Sequence, residues 1–397
     1  MASSVSFRAG FVVLAAAALA SLAFTPSHSQ PTPDFGEPLA GLDAEELERF
    51  EEGLDEFSEV ETPEEGLGPV FNDVSCGTCH LVPAVGGGSE ILETRFGRMG
   101  DDGLFDSMPE YGGGLIQKNG IGIADLCEYL AEIVPGEATI IADRRTTPLF
   151  GLGLVDATPD STFYALATAQ KHHPDGIKGV VSVVPKIATG RNAVGKFGWK
   201  AQVPSLFQFS GDAYLNEMGV TSPEFPDENC PGGDCDSLSC NPLPGMNDDG
   251  SGVDGFHDFM TFLAPPPRGP ITASALAGDL IFRGIGCAGC HQPTLRTGPN
   301  PVAALNKVSY APFSDFLLHD MGALGDGITQ NKATGTRMRT APLWGLRKVT
   351  RFLHDGRATT YEQAILAHDG QGKKARDRFA ALPGWKKNLL YAFLGSL

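Results

Sequence analysis

Two thiols and an imidazole recur at one fixed spacing in this chain of 397 residues. The strings are Cys76-Gly77-Thr78-Cys79-His80 and Cys287-Ala288-Gly289-Cys290-His291. C-x-x-C-H is the attachment pattern of a c-type haem. Thiols one helical turn apart sit on the same side of the chain, where each can form a thioether to a haem vinyl group. The next residue, His, is then delivered beneath the ring to bind iron. A zinc knuckle would need further Cys or His at short spacing, and neither string has them. A redox dithiol would not need the histidine twice. Two covalently bound c-type haems are therefore expected, attached through Cys76, Cys79, Cys287 and Cys290, with His80 and His291 as iron ligands.

The elements that must position these motifs repeat as well. The second motif follows an expected helix, Ala275 to Phe282, and the chain closes with the amphipathic stretch WKKNLLYAFLGSL. The first half closes the same way, with GFHDFMTFL before Pro265-Pro266-Pro267, which cannot continue a helix and reads as a hinge. The expected architecture is mainly α: two cytochrome c-like haem domains, 34–267 and 268–397. The first is enlarged by loop-rich insertions between about 85 and 200, in keeping with 50 Gly and 29 Pro.

Ahead of these domains, residues 1–29 read as a secretory signal peptide, with Arg8 before an apolar run from Phe11 to Phe24. The run is short for a bilayer span and no later stretch is long enough, so an integral membrane protein is not expected. Export agrees with c-type haem attachment outside the bacterial inner membrane, which makes the periplasm the expected location. The net charge of −18 is concentrated early: residues 34–65 hold fourteen Asp or Glu against one Arg. There Asp43 and Glu46 resemble a capping box, and Leu47, Phe50, Leu54 and Phe57 share one helical face. The acidic outer face suits either solvent or a basic electron-transfer partner; no nucleic acid partner is expected.

Four cysteines remain: Cys127, Cys230, Cys235 and Cys240. In an oxidising compartment they favour disulfides, with at least one local bridge in ENCPGGDCDSLSCNP and the pairing open. The following NDDGSGVDG fails the EF-hand positions, so it reads as a turn and bound calcium is doubtful.

On GLGPVFNDVSCGTCH, FGWKAQVPSLFQFSGDAYLNEMGVTSP, FMTFLAPPPRG, SDFLLHDMG and RTAPLWGLR…FLHDGRATT, the chain resembles the bacterial dihaem oxidoreductases. These are labelled variously as peroxidases or thiol oxidoreductases. They are similar to dihaem cytochrome c peroxidases and to the dihaem enzyme that matures methylamine dehydrogenase. The resemblance implies that His368, fourteen residues after His354, is the distal ligand of the second iron, with Met321 as the rival. It also implies that Gln208 and Glu217 lie over the open face of the first haem, Gln208 holding peroxide and Glu217 moving its proton. His172-His173-Pro174-Asp175-Gly176-Ile177-Lys178-Gly179 departs from the family's acid-rich turn. That puts a cation there in doubt and leaves the first iron open or capped by His173 or Met218.

The implied activity is peroxidase-like. A small periplasmic c-type cytochrome or cupredoxin would supply electrons to the second haem, and hydrogen peroxide would be reduced at the first. A thiol or protein-side-chain oxidase, or a pure electron-transfer cytochrome, are the other classes. Trp199 and Trp344 are candidates for the space between the haems, although aromatics there also serve as core. Cys79→Ala and Cys290→Ala should each remove one acid-resistant haem. Two acid-resistant haems in either variant, counted by haem extraction and optical spectrum, would contradict the assignment.

Overall fold

The computed structural model describes Met1 and residues 32–397, so the expected signal peptide lies outside the described residues. The acidic stretch forms the helix Ala44–Ser58. Asp43 accepts the Glu46 N–H and Glu46 accepts the Asp43 N–H, both at 2.9 Å, which satisfies two otherwise orphaned donors. Phe50 and Phe57 are buried while Leu47 is exposed, so the buried stripe is narrower than the expected four-residue face. It packs on the helix Ser251–Phe262. The approach is close because both helices present glycine: any side chain on Gly53 would run into the Gly255 carbonyl and the Phe259 amide.

The second half repeats this arrangement. Ala273–Gly284 precedes the second motif and packs on Gly384–Leu394, with Gly278 set against the Leu389 carbonyl. In the first pair, the Phe57 ring lies 5.7 Å from His80 and 4.8 Å from Phe259. In the second, Phe282 lies 6.3 Å from His291 and 5.1 Å from Phe393. Each motif is thus backed by phenylalanines from the helix before it and the helix that closes its half.

The mainly α expectation is overturned, because helix takes 35% and strand 16%. The stretch expected to be loop-rich contains a four-stranded antiparallel sheet. Leu92–Met99 pairs with Ile140–Arg145 from Leu92↔Arg145 to Gly97↔Ile140, and also with Phe105–Asp106 and Leu115–Ile116. A hairpin of Val183–Lys186 and Arg191–Val194 follows. Most of these strands are too short to show a period of two. The longest, LETRFGRM, sets charged residues between apolar ones, and only Phe96 of its side chains is fully buried. Cross-strand pairs and turns hold such a sheet, and neither stands out in a hydropathy pattern.

The core runs past Pro265–Pro267: Tyr310, Phe316 and Leu317 join the same buried cluster as Phe163, Phe197 and Phe259. Residues 32–397 form one compact unit. A buried ionic group also bridges distant parts of the chain. Arg144 donates to Asp326 at 2.7 Å and Lys200 contacts the same carboxylate at 2.7 Å. Burial lowers Lys200 to about 8 against the opposing pull of Asp326. The expected local bridge is Cys230–Cys235, and Cys127–Cys240 ties the insertion to that loop. In NDDGSGVDG the Asp248 and Asp249 carboxylates accept N–H groups at the start of Ser251–Phe262, which agrees with a turn. Gly53→Val should cost about 3 kcal/mol by overpacking, whereas Leu47→Ala should stay within about 0.5 kcal/mol. Urea unfolding of the holoprotein reads both.

Candidate functional site

Three imidazoles are fixed in the same manner. The Nδ1 of His80 bonds the Gly87 carbonyl at 2.9 Å, that of His291 the Phe313 carbonyl at 3.0 Å, and that of His368 the Ala364 carbonyl at 2.8 Å. A carbonyl partner makes Nδ1 the protonated nitrogen and leaves Nε2 with a free lone pair, as a metal-binding histidine requires. Burial pulls His80 and His291 down to about 4 and lowers His368 too. All three are therefore neutral at physiological pH, yet each keeps accessible surface. Groups that are desolvated but accessible face space inside the protein.

At the second motif that space is a largely apolar cavity lined by Cys287, Cys290, His291, Met321 and His368, reaching Trp199 and Trp344. The His291 and His368 rings face one another across it, 6.4 Å between centroids. Two imidazoles gripping one metal through nitrogens about 2 Å away on either side need a separation of this size, so the residues fit a haem iron. Met321 stands beside His368 near Gly372, but it is the His368 ring that opposes His291.

Sequence reasoning missed the buried network next to Cys290. His319 Nε2 meets Asp315 at 2.9 Å and its Nδ1 meets Gln371 at 2.8 Å. Gln170 donates to Asp315 at 2.7 Å and to the Gly289 carbonyl at 2.9 Å. Burial alone would lower His319, but the Asp315 charge wins and raises it well above its ordinary value. Asp315 and His319 stand four residues apart in SDFLLHDMG, and that spacing of an acid and a histidine within an apolar string was the available signal.

Next to the first motif the chemistry differs. Glu217 ends the helix Leu206–Met218 and accepts from Asn72 Nδ2 at 2.7 Å, while its carbonyl accepts the Asn72 N–H at 2.7 Å. Asn72 lies just before Cys76, so Glu217 is held beside the motif. Glu93 and Arg95, on the strand Leu92–Met99, complete the cluster, with Arg95 donating to both Glu93 oxygens at 3.2 and 3.3 Å. Burial, then the Glu93 charge, raise Glu217 to about 7 although Arg95 opposes them.

The structure does not bring Gln208 to this cluster. Gln208 and Glu217 sit on one unbroken helix, and nine residues at 100° per residue place them on opposite faces about 13 Å apart. Gln208 instead accepts from the Ile187 N–H at 3.0 Å and donates to the Pro185 carbonyl at 3.3 Å. His173 lies against Gly289 of the second motif, away from His80. Met218 is packed in the core with 3% exposure, unlike the ring nitrogens that face open space.

Opposed neutral imidazoles, paired thiols and an apolar cavity define a protein that holds haem for redox work. The chain belongs to the di-haem oxidoreductase family, whose model, described as "Di-haem oxidoreductase, putative peroxidase", matches residues 134–397. That span contains the second motif, His368 and Glu217, and begins after the first motif. Among solved structures, a chain of Kuenenia stuttgartiensis hydrazine synthase pressurised with xenon is 16% identical, with 64% of this chain and 88% of that chain covered and a TM-score of 0.28. A likeness of that size defines neither fold nor function. The search of curated proteins finds no match. His368→Ala should convert one low-spin haem to high spin or to a new ligand and leave the other unchanged in the EPR spectrum. The same change in Met321→Ala but not in His368→Ala would give the ligand to Met321.

Proposed function

We propose that this chain is an exported, periplasmic peroxidase with two covalent c-type haems, one in each of two haem-bearing parts, 34–267 and 268–397. The carrying observation is the asymmetry of the two sites. Around His291 a second imidazole stands opposite, which suits a closed iron that only passes electrons. Beside the first motif, next to Cys76 and Cys79, stands instead a carboxyl cluster, which suits a site where a reactant gains or loses protons. Bound there, haem would supply one-electron transfer at the His291/His368 site and activation of a small oxidant at the His80 site.

The residues do the rest. Glu217 takes the first proton of hydrogen peroxide and returns it to the departing oxygen, and Asn72 keeps the carboxyl turned toward the motif. Net reduction uses two protons and two electrons for each peroxide and gives two waters. A small c-type cytochrome or cupredoxin supplies the electrons. The acidic outer face of Ala44–Ser58 supports a basic partner.

Because the carboxylate is the active form, the reaction should speed up as pH rises through about 7, where Glu217 loses its proton. Glu217→Gln keeps the shape and removes the base. It should slow the reaction of half-reduced protein with hydrogen peroxide by about a hundred- to ten-thousand-fold, with haem content unchanged. Stopped-flow absorbance reads this. Equal rates would take Glu217 out of the mechanism, and no reaction in the wild type would reject the peroxidase.

A further inference from the structure

Glu217 does not stand alone. Glu93 lies within hydrogen-bonding reach of it, and two carboxylates that close cannot both carry charge cheaply in a site withdrawn from water. Glu93 is the better supported anion. Arg95 grips both of its oxygens, and Arg144, buried behind it, reaches it at 3.8 Å. Glu217 has one neutral amide, Asn72, as its side-chain partner. The cations therefore sort the pair: Glu93 is stabilised as the charged member and Glu217 is left to hold a proton.

We propose that Glu93 and Glu217 form one acid–base pair with a single proton between them, in which Glu93 is kept charged by Arg95 and Arg144 while Glu217 faces the reactant. The inference rests on the acid–base reading of Glu217 above. Glu93 acts through Glu217 and is a positioning residue. Its charge makes Glu217 a stronger base than a lone carboxylate beside Arg95 would be, so that one group can both take and return a proton near neutral pH. Once Glu217 has lost its proton, it takes one from peroxide and passes it to the departing oxygen, so the pair ends each pass deprotonated, as it began.

Other groups face Glu217 and bear on its titration. Asp212 on its own helix is raised to about 6, chiefly by burial, and adds negative charge. Cys76 and Cys79 belong to the motif, and Asp73 precedes them. Lys118 donates its backbone N–H to Asn72 at 3.3 Å. Of these charges, Glu93 is the one within hydrogen-bonding reach, so its removal should dominate.

The test is made on the holoprotein with two readouts. The first is infrared difference titration of protonated carboxyl groups, with the Glu217 band identified by its loss in Glu217→Gln. In Glu93→Gln that band should disappear at a pH lower by about one unit. In Arg95→Gln it should persist to higher pH. Glu93→Asp, which keeps the charge, should restore most of the wild-type midpoint. The second readout is the pH profile of the peroxide reaction, whose rising limb should move the same way in each variant. An unchanged or upward-shifted band in Glu93→Gln overturns the pair, whatever the activity. If Glu93→Gln does not fold, an unmoved band in Arg95→Gln overturns it equally. A shifted band with no peroxide reaction in the wild type keeps the pair and rejects the peroxidase reading instead, so the two can fail separately.

Discussion

An imidazole that is to hold a metal must stay neutral and must not turn, and most of this structure serves those two conditions. Burial keeps the three rings uncharged. One backbone carbonyl apiece stops the rotation, and those carbonyls come from Gly87, Phe313 and Ala364. Each therefore depends on a stretch of main chain staying in place. The Phe313 carbonyl is positioned in a segment where Phe313 itself packs 5.6 Å from Phe393 of the closing helix. The glycine contacts at Gly53 and Gly278 belong to the same requirement, since they let the helices come close enough for their phenylalanines to back the rings.

The two halves use one plan to different ends. Both have a helix, a motif and a closing helix in the same order, with aromatic rings in matching places. What differs is the neighbourhood of each motif. The second half supplies an imidazole there, carried at the end of the short helix Tyr361–Leu366. The first half supplies carboxylates, Glu93 from the strand Leu92–Met99 and Glu217 from the helix Leu206–Met218. The insertion thereby sets charged groups beside the first motif while leaving the helix pair that backs it alone.

Much of this was legible in the sequence, and the failures have definite causes. The motifs, the capping box at Asp43 and the closing helices are local patterns whose physics is complete within a few residues. The sheet was not legible, because Leu92–Met99 owes its place to Ile140–Arg145 some fifty residues on, and its own pattern of charge and apolarity is irregular. Glu93 and Arg95 were hidden for the same reason: their role appears only when that strand is laid beside Asn72 and Glu217. Gln208 misled in the opposite way. A spacing close to the family's was mistaken for proximity, although one continuous helix across both positions turns them apart. His368 could be located through its offset from His354, but its orientation toward His291 depends on the fold.

The link between Arg144 and Asp326 bears on how the chain matures. The two partners are 182 residues apart, and Arg144 sits almost entirely out of solvent. Within its own half Arg144 has only the more distant Glu93, at 3.8 Å, and a buried ion short of close counter-charge is costly by several kcal/mol. The strand Ile140–Arg145 therefore gains its full ionic support only once the segment carrying Asp326 is in place. Order of synthesis and order of stabilisation part company here: some of what steadies the half made first is contributed by the half made last.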